Sequence, residues 1–204
     1  MGMIYVIGIG PGDTRYGLLG HENLFKKADY IIGSDRHLEI LPEEYAHKGV
    51  VPPKKLLALE ELLRSYDEDK TLVYLASGDP LIYGLGKWLS EKFKGQVEIM
   101  PGVSAMQYLA SKAFIPMNDA YLTSSHAKIP NFDLIMSLSK VFMVTDDHVG
   151  PYQIAQEAVQ RGLNKRVIIG ENLSYDDEKI TSCLAQDVED REYKMNVVVI
   201  MDER

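Results

Sequence analysis

Met3-Ile4-Tyr5-Val6-Ile7-Gly8-Ile9-Gly10-Pro11-Gly12-Asp13 opens the chain with an unbroken apolar run that ends in a glycine-rich turn. A run of this kind predicts a strand over residues 3–9, buried on both faces as in a parallel sheet. The pattern recurs twice. Residues 72–76 lead into Ser77-Gly78-Asp79-Pro80, and residues 97–100 into Pro101-Gly102-Val103-Ser104-Ala105. Glycine lets backbone N–H groups approach a ligand, and proline fixes the turn. In an open α/β sheet, ligands bind beyond the carboxyl ends of the strands. Three such loops therefore point to a small-molecule site for something nucleotide-like.

Working outward, apolar runs alternate with amphipathic stretches. Helices are expected over residues 16–27 (weakened by Gly17 and Gly20), 35–41, 56–66, 81–93 and 104–113, and strands over 30–32, 71–76 and 97–100. This βαβα order predicts a largely parallel sheet. Phe114-Ile115-Pro116-Met117-Asn118-Asp119 interrupts it, so the lobe boundary is read there: residues 1–115 form an N-terminal α/β lobe and residues 116–204 a second one. In the second lobe, strands are expected over 121–124, 141–145 and 166–170, and a helix over 151–161 with proline in its first turn. Residues 173–176, 179–184 and 196–201 read as short strands with a turn at Asp176-Asp177, so this lobe is expected to be mixed α/β with a hairpin.

Composition narrows the function classes. The 204 residues are 46% hydrophobic, ample for a packed core. No apolar stretch approaches membrane-spanning length, and the first residues do not read as a signal peptide. Cys183 is the only cysteine, which excludes an intrachain disulfide and suits the cytoplasm. A net charge of -8 argues against a nucleic-acid-coating surface. An anionic substrate would then need a local basic cluster, for which Arg15, Arg36, His37, Lys54, Lys55, His126 and Lys128 are candidates.

Each motif has a plainer reading. In the first loop a G-x-G-x-x-G fingerprint fails, because the third glycine would fall on Asp13. Pro11 removes an N–H that a pyrophosphate could use, and a carboxylate at the tip would repel phosphate. A tight turn with Asp13 as an N-cap competes with any ligand role. Asp79 before Pro80 reads as an N-cap, or as an acceptor for a ribose hydroxyl or an ammonium group. Ser104 opens a helix. His126 lies just past a strand, and no second histidine or cysteine stands at metal-ligand spacing, so no metal site is expected. No G-x-S-x-G nucleophile elbow is present.

The order of these three loops resembles that of the tetrapyrrole methylases, S-adenosylmethionine-dependent enzymes of vitamin B12 and sirohaem synthesis. Further segments resemble the branch that methylates C5 of a late corrin precursor. They are Ile32-Gly33-Ser34-Asp35-Arg36-His37-Leu38, Thr145-Asp146-Asp147 with Pro151, and Glu171-Asn172-Leu173-Ser174-Tyr175-Asp176-Asp177-Glu178-Lys179-Ile180. The resemblance spans residues 3–201.

The resemblance implies a two-lobed α/β fold, a cytoplasmic homodimer, and S-adenosylmethionine as methyl donor. Ile9, Gly78, Asp79, Ile82, Gly102, Ser104 and Ala105 are the expected donor-binding residues of the first lobe, with Val144, Asn172 and Asn196 from the second. Gly10, Pro11, Gly12, Arg36 and Lys128 are expected at the tetrapyrrole. Asp13, then His126, are the candidate bases. The family segment Ser-x-His-Gly-Arg here reads Ser124-Ser125-His126-Ala127-Lys128, so a lysine keeps the charge but loses the bidentate fork. The expected reaction is methylation of C5 of cobalt-precorrin-7 without C15 methylation or decarboxylation, a separate enzyme following. The alternatives are a methylase of the same fold with another acceptor (another precorrin, a diphthamide precursor, ribosomal RNA) or a non-catalytic binding module. No nucleic-acid or membrane partner is expected.

Overall fold

The structure is a computed structural model that describes residues 2–126, 129–146 and 148–203. The chain divides into two compact units, Met1–Ser104 and Ala105–Arg204.

The first unit contains β1 (Ile4–Gly8), α1 (His21–Lys27), β2 (Tyr30–Ile32), α2 (Asp35–Leu38), β3 (Gly49–Val50), α3 (Leu56–Arg64), β4 (Leu72–Ala76), α4 (Gly86–Lys92) and β5 (Val97–Met100). Its five strands are parallel in the order β3-β2-β4-β1-β5. Side chains alternate across a strand, so one sheet buries two cores. Ile4, Val6, Ile32, Leu72 and Tyr74 meet Leu59, Leu63 and Leu89 on one face. Ile7, Ile31, Val73 and Leu75 meet Phe25, Leu41 and Tyr45 on the other. The continuous apolar runs are thus explained by helices on both sides. All five strands end at the same sheet edge, and the three glycine loops leave the adjacent strands β4, β1 and β5.

The second unit contains α5 (Ala105–Lys112), β6 (Tyr121–Ser124), α6 (Phe132–Ser137), β7 (Lys140–Val144), α7 (Pro151–Gln160), β8 (Lys165–Glu171), β9 (Lys179–Leu184) and β10 (Asn196–Asp202). The sheet order is β6-β7-β10-β8-β9. β6 and β7 are parallel and the remaining pairs antiparallel, with β8 and β9 forming a hairpin. Val141, Met143, Val167, Ile169, Val198 and Ile200 pack on α6 and α7. Helix α5 packs against β7 and β10, which places it in this unit.

Several elements differ from the periodicity. The helix expected over 16–27 is a 3-10 turn, Thr14–Tyr16, followed by α1 from His21, because Gly17 and Gly20 favour no helix between them. The helix expected over 81–93 starts only at Gly86; Tyr83 has φ 56°, and Gly86 N–H donates to the Pro80 carbonyl. The helix over 35–41 stops after Leu38. Residues 173–176 are not a strand, because Asn172 and Ser174 take φ of 44° and 69°, which breaks extension. Helix α6, capped by Asn131 accepting from Leu134 N–H, carried no strong periodicity in so short a segment.

Candidate functional site

Two sheet edges hold the predicted site residues. In the first unit, the three loops are joined to one another. Gly78 N–H donates to the Gly10 carbonyl at 2.7 Å, and Gly10 N–H to the Gly78 carbonyl at 3.4 Å. Ile9, almost wholly buried, donates its N–H to the Ala76 carbonyl at 3.0 Å. A Cβ added to Gly102 would lie 2.1 Å from the Gly78 oxygen and 2.5 Å from the Gly8 oxygen. A Cβ on Gly8 would lie 2.5 Å from the Gly78 oxygen. The backbones of three strand ends therefore touch in a way that only glycine permits.

Asp79 closes the arrangement. Its Oδ1 accepts from Leu81 N–H at 2.8 Å and its Oδ2 from Gly102 N–H at 3.1 Å. One carboxylate thus caps its own turn and bridges to the third loop. Ile82, half-buried, follows in the turn with its N–H donating to the Asp79 carbonyl. Ser104 is buried at the end of the third loop, and Ala105 begins α5.

At the tip of the first loop, Asp13 caps the 3-10 turn. Its Oδ1 accepts from Arg15 N–H at 2.8 Å, and its Oδ2 from Arg15 Nε at 2.8 Å, with Arg15 Nη2 at 2.6 Å. These bonds hold the Asp13 carboxyl below the usual carboxylate range, so it is ionised and a weak base. Gly10 (φ 87°) and Gly12 (φ 155°) flank Pro11 and let the chain reverse here.

On the other side of β4, Arg36 Nη2 donates to Ser77 Oγ at 2.7 Å, and His37 Nε2 lies 2.8 Å from the same oxygen. Burial, then the Arg36 charge, pushes the His37 imidazole down to about 4, so it is neutral near pH 7. Sequence reasoning placed Arg36 at the site but missed Ser77 as its partner. The Ser-Gly-Asp-Pro motif holds that serine, yet the contact depends on β2 pairing with β4.

In the second unit, register brings the remaining predictions to one sheet edge. Val144 opposes Val197, Asn196 opposes Glu171, and Ser124 opposes Val144. Val144, Asn172, Asn196 and His126 therefore share an edge although they lie on or after different strands. Thr145 Oγ1 lies 2.7 Å from Asn196 Oδ1 and 3.0 Å from its carbonyl. Asn172 Nδ2 donates to Asp177 at 2.8 Å, and Lys194 also pairs with Asp177 at 2.5 Å. Buried Glu171 accepts from Arg191 at 2.6 Å and 3.0 Å, which lowers its carboxyl below the usual range. His126 is exposed, with its N–H bonded to Ser124 Oγ at 3.0 Å. Lys128 lies outside the described residues. Thr145 was quoted in the sequence only as part of a motif; its bond to Asn196 is a tertiary fact.

The residues at the first-unit edge could hold a nucleoside. Around Ile9, Asp79, Ile82, Gly102 and Ser104 the groups are backbone, apolar side chains, one hydroxyl and one carboxylate. That set suits a ribose and a sulfonium better than a pyrophosphate, which calls for N–H donors and cations. Among the described residues, no group of three His, Cys, Asp or Glu side chains is placed to hold a metal ion.

Comparison with known proteins gives the family. The family model described as Tetrapyrrole (Corrin/Porphyrin) Methylases matches residues 3–189. The chain belongs to the tetrapyrrole methylases. The Salmonella typhimurium protein named cobalt-precorrin-7 C(5)-methyltransferase is 40% identical over 204 residues, covering 99% of this chain and 100% of that one. Among solved tetrapyrrole methylases, the precorrin-6Y methylase of Archaeoglobus fulgidus superposes with a TM-score of 0.75 at 20% identity, covering 99% of each chain. The uroporphyrin-III C-methyltransferase of Thermus thermophilus, solved with S-adenosylhomocysteine, gives 0.73 at 21% identity over 98% of this chain and 97% of that one. These two likenesses establish the fold. Membership makes this chain a methyltransferase. Among the described residues no helix is long and apolar enough to cross a membrane.

Proposed function

We propose that this methylase transfers a methyl group from S-adenosylmethionine to C5 of cobalt-precorrin-7, without the C15 methylation and decarboxylation. The observation that carries the acceptor is the 40% identity to a C5-methyltransferase along the full length of both chains. The glycine-stapled edge, with Asp79 at its centre, supports the donor assignment. Ile9, Gly78, Asp79, Ile82, Gly102, Ser104 and Ala105, with Val144, Asn172 and Asn196, are the proposed donor-binding residues. Gly10, Pro11, Gly12, Arg36 and Lys128 are assigned to the tetrapyrrole.

The donor supplies an electrophilic sulfonium methyl group. The protein's task is alignment, which can lower a barrier by about 7–11 kcal/mol in favourable cases. The stapled loops suit that task, because their mutual contacts leave the backbone little freedom to drift. C-methylation of an enamine-like carbon leaves a cationic ring with an acidic proton, so a weak base suffices to take it. Asp13, ionised and held by Arg15, is the first candidate, and His126 the second. The same reading makes the enzyme a cytoplasmic homodimer whose product passes to a separate C15-methylating, decarboxylating enzyme.

The test is a transfer assay with isotopically labelled S-adenosylmethionine and cobalt-precorrin-7, read by mass spectrometry and NMR. One new methyl at C5 with no loss of carbon dioxide is the expected result. Tight binding of S-adenosylhomocysteine with no transfer would keep the donor site and redirect the search to other acceptors, metal-free precorrin first.

A further inference from the structure

One lysine stitches the turn after β8 to the start of β10. Lys194 N–H donates to Glu171 Oε1 at 3.2 Å, its Nζ reaches Asp177 Oδ2 at 2.5 Å, and its carbonyl accepts from Asn196 Nδ2 at 2.8 Å. Asp177 in turn accepts from Asn172 Nδ2 at 2.8 Å. Asn172 N–H donates to the Met195 carbonyl at 2.9 Å, and the ladder sets Asn196 opposite Glu171, so the two asparagines are neighbours.

Both carboxamides face partners that can only accept. A backbone carbonyl has no proton to give. Lys194, then Asn172, hold the Asp177 carboxyl below the usual carboxylate range, so it is ionised near neutral pH. Each asparagine must therefore turn its amide nitrogen toward that partner. For Asn172 this leaves Oδ1 without a partner among the described residues and open to solvent. Its backbone takes φ 44°, a left-handed conformation that asparagine tolerates. For Asn196, Oδ1 is taken by the Thr145 hydroxyl at 2.7 Å, and one amide N–H remains. The edge thus offers one hydrogen-bond acceptor and one donor from adjacent residues. Adenine carries the complementary pair, a 6-amino donor beside a ring-nitrogen acceptor, which amide groups match.

We propose that Lys194 and Asp177 are positioning residues that make this edge specific for adenine. They hold Asn172 Oδ1 to accept from the 6-amino group, and Asn196 N–H to donate to a ring nitrogen beside it. The inference rests on the donor reading above, which assigns both asparagines to S-adenosylmethionine. A 6-oxo base would bring its oxygen against the Asn172 oxygen and be rejected. The Lys194–Asp177 pair is well exposed, at 64% and 53%, so it adds little to stability. Its effect is on which way an amide faces.

The test measures the Kd of S-adenosylhomocysteine and of its 6-oxo analogue, S-inosylhomocysteine, by isothermal titration, with melting temperature alongside. Wild type should favour the adenine compound by about tenfold or more. Asp177→Ala should cut that preference by roughly three- to tenfold, with a melting temperature within about 2 °C of wild type. Lys194→Met should cut it by a smaller factor, because Asp177 remains an acceptor but loses its anchor. Lys194→Arg, which keeps the cation, should retain most of it. Lys112→Met removes a different ion pair on the same turn, to Glu178, and should leave the preference as it was. In Asn172→Ala the preference should fall at least as far as in Asp177→Ala, and combining the two should cost nothing more, because both act through one amide. Wild type that binds both compounds equally would overturn the reading of the base. A preference kept in Asp177→Ala or in Lys194→Met, or lost only with a large fall in melting temperature, would overturn that residue's positioning role. Wild type that binds neither compound would overturn the donor reading, and this inference with it.

Discussion

Asp79 ties two loops together with one side chain. Its two oxygens hold Leu81 N–H and Gly102 N–H, so removing them leaves two backbone donors without their partner. Asp79→Ala should destabilise the fold by about 1–3 kcal/mol and weaken S-adenosylhomocysteine binding, while Asp79→Asn keeps one acceptor and should lose less. Isothermal titration and denaturant melts on both variants check this; an unchanged donor Kd in Asp79→Ala would remove Asp79 from the proposed donor site. His37 makes a pH prediction. Its folded pKa of about 4 lies below the ordinary 6.5, so the unfolded chain binds the proton more readily. The corresponding stability is complete above pH 6.5 and is lost as pH falls toward 4. His37→Gln should flatten the stability profile in that window, and a profile identical to wild type would refute the half-buried neutral imidazole.

At the scale of elements, the strand ends matter more than the strands. Glycines 8 and 102 allow three loops to touch, Gly78 turns the chain at φ 61°, and the sequence displayed those glycines without showing that they meet. In the second unit, Glu171 ends β8 and is only 5% exposed in its side chain, paired with Arg191 at 2.6 Å. Truncating Arg191 removes the main counter-ion of the Glu171 carboxylate and leaves it the Lys194 N–H and the field of Lys179. Arg191→Ala should therefore cost about 2–3 kcal/mol, less than for a fully buried pair because Arg191 is partly in water. The Glu171 carboxyl is held below its ordinary 4.5, so its stabilisation is present above pH 4.5 and fades as pH drops below it. Arg191→Ala should lose most of that acid dependence, visible as a smaller shift in melting temperature between pH 5 and pH 3. Since Glu171 opposes Asn196 in the ladder, the same variant should also loosen the edge that carries Asn172 and Asn196.

For the whole molecule, a ligand that binds only the folded state stabilises it by mass action. S-adenosylhomocysteine at about a hundredfold over its Kd should add roughly 2.7 kcal/mol, which for a chain of this size is a rise in melting temperature of about 5–10 °C. NAD should give no such rise, because Asp13 stands where the dinucleotide fingerprint needs a glycine. Differential scanning calorimetry with each ligand decides it, and a shift with NAD alone would overturn the donor assignment.

Much of this protein was legible from the chain alone. The continuous apolar runs at residues 4–8 and 72–76 marked strands buried on both faces, and the glycine-rich turns after them marked the strand ends where the loops meet. Those are local signals: a run either can or cannot face water, and a turn either does or does not need glycine. The family, too, lay in the order of the motifs. The tertiary structure alone decided which groups meet. Ser77 reaches Arg36 and His37 through the pairing of β2 with β4, and Asp79 reaches Gly102 because β1 holds β4 and β5 on either side of it. Val144, Asn172 and Asn196 share an edge through the register of β7, β8 and β10. Residues 173–176 read as a strand but form a turn, because the ladder ends at Glu171 and positive φ at Asn172 and Ser174 turns the chain away. Sequence spacing carries no information about partners dozens of positions away, and hydrogen bonding between strands fixes those distances.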